Sequence, residues 1–284
     1  MHAGERREAF RAVLGGDRCI HPASVFDAIS GRIAADLGFE TAMFAGSVGS
    51  FTVLGAPDLI VLTLTEFADQ ARRICRGGAP PLMVDADHGY GNALNAMRTV
   101  QELEHAGVAA MTLEDTILPR PYGAKGVQVH PLEEGLGKIR AALAAREDSR
   151  FVIVARTGAI AVNGVEDTIA RGRAYAEAGA DAFFLTGTKT RAEVEAVAAS
   201  VKVPIILGAI QGDLADRDWL SRTGVRIALQ GHQPFSAAVA AIHATLKALR
   251  EGTKPADLPG VAPAALMARV TREAEYETWT RNFL

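Results

Sequence analysis

Short apolar runs recur along this sequence, each followed by a stretch with helical spacing, and there are eight of them. They fall at about residues 19–25, 41–45, 80–84, 109–113, 151–155, 182–185, 204–207 and 225–229. Short apolar runs bounded by glycine and proline read as buried strands. Strands that alternate with helices build a parallel sheet. The intervening helices are expected at about 4–14, 28–37 (capped by Asp27), 65–76, 93–104, 132–145, 167–179, 191–200, 216–223 and, after Gln230-Gly231-His232-Gln233-Pro234, on to about Arg250. No glycine fingerprint for a dinucleotide follows the first strand, and no Walker loop is present. Eight repeats in a chain of 284 residues therefore predict an α/β fold, a (β/α)8 TIM-type barrel over residues 1–251. Gly252 to Pro263, with three prolines, reads as a linker, and 264–284 as a final helix and tail outside the repeat.

Two strand ends lead into small-residue or irregular segments. Gly46 to Ser50 reads as a loop whose backbone N–H groups can face an anion. Thr116 to about His130, rich in proline and glycine, has the length of a lid.

The third run ends in Val84-Asp85-Ala86-Asp87-His88-Gly89-Tyr90-Gly91-Asn92. Residues two apart on a strand share a side, so Asp85 and Asp87 project together if the strand persists. Two like charges at a buried strand end are costly unless a positive group sits between them. A hard divalent cation, Mg²⁺ or Mn²⁺ held partly through water, answers that cost. An isolated Asp-x-Asp is more often two solvated loop acids. What shifts the balance is the company at the other strand ends, where a barrel keeps its chemistry. Those ends carry Ser47, Asp85, Asp87, Glu114, Arg156 and His232. Three acids face one fixed cation, which suits a metal held by carboxylates and an arginine for a substrate carboxylate. Each has a plainer reading: Glu114 pairing with a lysine, Arg156 bridging Glu114, His232 satisfying a turn.

Composition excludes several classes. A net charge of −3 with scattered basic residues gives no footprint for nucleic acid. Cys19 and Cys75 form no metal spacing and no disulfide framework. No apolar run reaches membrane length, and residues 1–8 lack the apolar core of a signal peptide. A cytoplasmic protein acting on a small molecule, without nucleic acid or membrane as partner, is expected.

The run Asp85 to Asn92, with Leu113-Glu114-Asp115 and Val154-Ala155-Arg156-Thr157, resembles the isocitrate lyase/phosphoenolpyruvate mutase superfamily. The likeness extends from Val25-Phe26-Asp27-Ala28 through Ala178-Gly179-Ala180-Asp181. It implies a barrel enzyme that binds an α-keto or α-hydroxy carboxylate on Mg²⁺. It also implies a C-terminal helix exchanged between subunits, usually in a homotetramer built as a dimer of dimers. The lyases of that superfamily carry a cysteine in the gating loop, where this chain reads Pro119-Arg120-Pro121-Tyr122-Gly123. That loop, with His232, resembles the oxaloacetate decarboxylase branch. Arg156-Thr157-Gly158 departs from the commoner Arg-Thr-Asp.

On this resemblance the expected reaction is Mg-dependent loss of CO₂ from oxaloacetate, through an enolate, to give pyruvate. Asp85 would hold the metal directly, and Asp87 and Glu114 through water. Ser47, Arg156 and His232 would bind substrate, with Arg156 and His232 catalytic. The alternatives are a carbon–carbon lyase on a substituted malate, of methylisocitrate or dimethylmalate type, a phosphonopyruvate hydrolase, and a non-enzymatic barrel that binds a keto acid.

Overall fold

Each apolar run becomes a strand in the computed structural model, which describes residues 1–284. The strands are β1 (Ala23–Ser24), β2 (Ala42–Phe44), β3 (Leu82–Asp85), β4 (Ala110–Glu114), β5 (Val152–Thr157), β6 (Ala182–Leu185), β7 (Ile205–Leu207) and β8 (Val225–Ala228). They lie parallel in chain order. Ile20 N donates to Arg226 O at 2.9 Å and Ala228 N to Ile20 O at 3.0 Å. This parallel bridge between Ile20 and Ile227 brings the start of the sheet against its end. The first strand is shorter than the expected 19–25 because Pro22 offers no N–H to the ladder.

The chain divides into two compact units, residues 1–231 and 232–284. In the first, the helices are α1 (Ala3–Leu14), α2 (Ala28–Asp36), α3 (Gly46–Gly49), α4 (Leu64–Arg76), α5 (Ala93–His105), α6 (Leu132–Ala145), α7 (Ala159–Val162), α8 (Val165–Ala178), α9 (Arg191–Ser200) and α10 (Arg217–Arg222). Their starts follow from side-chain caps. Asp27 accepts from Ser30 N at 2.7 Å, and Asn92 accepts from Leu94 N at 2.9 Å. Gly46 to Ser50 is not the expected loop. It forms α3 and runs into a π-helical turn, Ser50–Leu54, that ends at Gly55 with φ 64°. Gly55, in the left-handed region that glycine adopts without strain, ends the turn.

The core lies between strands and helices. Phe44 of β2 stacks on Phe67 of α4 with centroids 4.8 Å apart. At the N-terminal ends of the strands, α1 holds on by arginines. Arg7 Nε donates to Val108 O at 3.2 Å, and Arg11 Nη2 to Asp181 Oδ1 at 2.9 Å. At the other end, the loop after β4 leaves and returns as a short hairpin. Ile117 N donates to Gln128 O and His130 N to Asp115 O, both at 2.8 Å.

The second unit holds α11 (Gln233–Arg250), α12 (Ala264–Thr271) and α13 (Glu273–Phe283). The compact boundary at Gly231 precedes the expected linker at Gly252, so α11 falls outside the first unit. No residue of α11 is buried, and Val239, Ile242, Leu246 and Leu249 form an exposed stripe at helical spacing. The expected single final helix is two. Arg272, with φ 63°, caps α12 and turns the chain into α13. No helix is long and apolar enough to cross a membrane.

Candidate active site

Asp85 is the last residue of β3, and it is held from three directions. Thr112, its register partner on β4, donates from Oγ1 to Asp85 Oδ1 at 3.0 Å. The Asp87 N–H donates to the same oxygen at 3.2 Å, and Arg156 Nη1 donates to Oδ2. The strand does not persist to Asp87 as the alternation argument requires. Asp87 has φ 47°, so its carboxylate is aimed by a left-handed turn and not by the pleat. Glycine 46 makes room for it: a Cβ there would lie 2.8 Å from Asp87 Oδ1.

Glu114 ends β4 and is in register with Arg156 of β5. Thr116 Oγ1 donates to Glu114 Oε2 at 2.9 Å. Arg156 Nε stands 3.4 Å from that oxygen as an ion pair but has no hydrogen-bond acceptor. The guanidinium carbon lies 5.5 Å from the Phe184 ring centroid. Arg156 thus bridges Asp85 and Glu114, as its plainer sequence reading allowed, with its buried Nε–H short of an acceptor.

These groups border a cavity of about 480 Å³. Asp58, Asp85, Asp87, Glu114, Arg120 and Arg156 give its charged lining, and Leu59, Ile60, Leu118, Val127 and Val162 its apolar lining. Burial first, then the charges of Asp85 and Glu114, raise the Asp87 carboxyl well above its ordinary range, against the pull of Arg156. Glu114 is raised too, by burial and Asp85, while Arg156 opposes. The acids outnumber the cation set among them, and their repulsion marks a place for more positive charge. An all-oxygen donor set fits a hard divalent ion. No three acidic, histidine or cysteine side chains already close into a metal shell, so an ion here would keep waters.

Beside this site lies a second charged group, fully buried. Asp115 Oδ1 accepts from Thr157 Oγ1 at 2.8 Å. Its Oδ2 accepts from Tyr175 OH at 2.8 Å and Arg171 Nη1 at 2.9 Å. Arg171 Nη1 also donates to His130 O at 3.0 Å, which pins the return of the hairpin loop.

Asp85, Asp87, Glu114 and Arg156 are therefore brought together as expected. Ser47 is the second residue of α3 and half-buried, and it is not part of the cavity lining. His232 is the N-cap of α11 and the first residue of the second unit. Sequence reasoning missed Asp58 and Arg120 as lining groups. Asp58 follows Pro57 in a segment without periodicity, so no strand-end argument reaches it. Arg120 lies in the loop after β4 and was visible there only as part of a motif.

The family described as Phosphoenolpyruvate phosphomutase matches residues 10–250. An oxaloacetate decarboxylase of Rhodopseudomonas palustris (strain BisB18) is 56% identical over 279 residues, covering 98% of this chain and 97% of that protein. The solved structure of oxaloacetate acetylhydrolase with the inhibitor 3,3-difluorooxalacetate has a TM-score of 0.86 at 31% identity, covering 98% and 97% of the two chains. Phosphonopyruvate hydrolase in complex with oxalate and Mg²⁺ also gives 0.86, at 27% identity, covering 100% and 99%. With the acids and the arginine at successive strand ends of the same parallel barrel, the chain belongs to the phosphoenolpyruvate phosphomutase family.

Proposed function

We propose that this chain is a metal-dependent oxaloacetate decarboxylase, giving pyruvate and CO₂. The observation that carries the reading is the 56% identity, over nearly the whole of both chains, to an oxaloacetate decarboxylase. The acid cluster supports Mg²⁺ as cofactor, with Mn²⁺ as a substitute. Asp85 would hold the ion directly, with Asp87 and Glu114 behind water. When bound, the ion supplies positive charge against the oxyanion that develops as CO₂ leaves. Arg156 bridges Asp85 and Glu114 and offsets their repulsion, and as a lining residue of the cavity it is assigned to a substrate carboxylate. Ser47 and its neighbouring amides are assigned to the metal-chelating carboxylate, and Arg156 to the other edge of the keto acid, on sequence grounds. So is the placing of His232 at the keto group, where it would orient the carbonyl or move the proton to C3. Leu59, Ile60, Leu118 and Val127 give the cavity an apolar wall beside its charged groups.

The test is a product assay on oxaloacetate, methylisocitrate and phosphonopyruvate, with Mg²⁺ present and then chelated. Pyruvate and CO₂ from oxaloacetate alone, lost on chelation, are expected. Preferential turnover of either other acid would move the chain to a neighbouring reaction, and binding of oxalate without turnover would make it a keto-acid-binding barrel.

The proposal extends to assembly. The exposed stripe on α11 and the exposed Tyr276 and Trp279 of α13 support exchange of the C-terminal unit with a second copy, in a tetramer. Ile242→Asp with Leu246→Asp should lower the mass seen in sedimentation, and an unchanged mass would reject the exchange.

A further inference from the structure

Four of the five residues from Asp87 to Gly91 have positive φ: Asp87 at 47°, Gly89 at 80°, Tyr90 at 58° and Gly91 at 150°. Asp87 and Tyr90 are strained there because they carry a Cβ. Such a turn keeps its shape only when its surroundings hold it.

Its first three carbonyls are each taken by a different element. Glu114 N, on β4, donates to Asp87 O at 2.8 Å. Lys138 Nζ, on α6, donates to His88 O at 3.0 Å. Thr99 Oγ1, on α5, donates to Gly89 O at 3.1 Å. The lysine is the unusual member. It is 2% exposed, lies in the stripe of α6 that buries Gly135, Ile139 and Ala142, and spends its ammonium on one backbone carbonyl. Lysines are almost never fully buried unless paired. The helix is drawn in close beside it, since a Cβ on Gly135 would lie 2.3 Å from Tyr175 OH. Lys138 does not line the cavity, so it does not meet a substrate.

We propose that Lys138 is a positioning residue for the metal site. Its bond to the His88 carbonyl fixes the left-handed turn that sets the Asp87 carboxylate against Asp85 and Glu114, and through that geometry it sets the affinity for a divalent cation. The inference rests on the metal-binding reading proposed above. Burial lowers the Lys138 ammonium from its ordinary value, while Glu134, Asp115 and Glu114 oppose the loss of its charge. Charge and geometry therefore act with opposite sign at this residue. Removing a positive charge near the acids would tighten cation binding. Releasing the turn would loosen it.

Calorimetric titration of the metal-free full chain with Mg²⁺ alone separates the two, with thermal unfolding measured alongside. Lys138→Met should weaken Mg²⁺ binding about tenfold, in the range seen when a group that orients a metal ligand is removed. Lys138→Gln, neutral but still a donor, should recover most of that loss. Tighter binding in both variants would overturn the proposal in favour of charge alone. Unchanged affinity with a lowered melting temperature would overturn it in favour of a purely structural lysine. Thr99→Val, which frees the next carbonyl, should weaken binding in the same direction. Should Lys138→Met fail to fold, unchanged affinity in Thr99→Val overturns the proposal. A wild-type chain that takes up no Mg²⁺ refutes the metal reading itself, which distinguishes that failure from this one.

Discussion

Asp115→Asn replaces one carboxylate oxygen by NH₂ and removes one negative charge at a fully buried polar group of the barrel. Asp115 and Arg171 are 2% and 4% exposed, so water cannot take over their pairing. The two carboxylate oxygens accept three hydrogen bonds, from Thr157, Tyr175 and Arg171. An asparagine offers one acceptor and one NH₂. If the amide oxygen stays with Arg171 and Tyr175, the NH₂ meets the Thr157 hydroxyl, which can turn to accept. The hydrogen bonds are then nearly kept, and the loss is the negative charge. Breaking a buried pair by removing one partner costs about 3–5 kcal/mol. Arg171 still has Asp167 at 2.7 Å, a partner 31% exposed, which places the cost at the lower end, about 3 kcal/mol. At roughly 2–4 °C per kcal/mol for a unit of this size, the melting temperature falls by about 6–12 °C. The double variant Asp115→Asn with Arg171→Met removes the stranded charge. It should regain part of that loss, read by circular dichroism at one scan rate for all four proteins. Losses that simply add in the double variant, or an Asp115→Asn chain as stable as the wild type, would refute the view that a stranded charge causes the damage.

At the acid site, Asp85→Ala should abolish Mg²⁺-dependent turnover, and Asp87→Ala or Glu114→Ala should weaken metal use less completely, as judged by activity against Mg²⁺ concentration. His232→Gln should bind Mg²⁺ and oxalate but decarboxylate oxaloacetate about 10²-fold more slowly; an unchanged kcat would leave it a positioning or structural residue. Asp87 and Glu114 are both held above their ordinary values of 3.8 and 4.5, so the folded metal-free chain binds protons that the unfolded chain has released. Their contribution to stability is accordingly lost as pH rises from those ordinary values through the folded ones. Thermal midpoints of the metal-free chain measured across that range should show the fall, and Asp87→Asn should flatten it.

What was legible in the sequence was the part that repeats. Strand positions and most helix ends came from apolar spacing and caps, as with α6 and α9, whose bounds match the reading to within a residue. The acids were legible because the barrel puts its strand ends together. The turn at Asp87 was not, since a left-handed Asp follows no spacing rule and depends on carbonyl partners from three other elements. Lys138 left a trace that went unread: a lysine in the apolar stripe of a helix. The break at Arg272 and the winding of α3 were hidden for a different reason. Both depend on single residues whose backbone conformation composition does not announce.

The ring of strands is not evenly laced. Its seam is one bridge at Ile20 and Ile227, next to a first strand of 2 residues, whereas β4 and β5 are paired over five register positions. In an eight-membered ring the pair β4–β5 lies opposite the seam, and it is this pair that carries Glu114 and Arg156 side by side. Stiffness is therefore graded around the circumference, lowest where the chain must join residues two hundred apart and highest where two charges must be kept in register. Thermal breathing has a preferred outlet on the far side of the barrel from its chemistry, so the closure can loosen while the spacing of the charged pair is preserved.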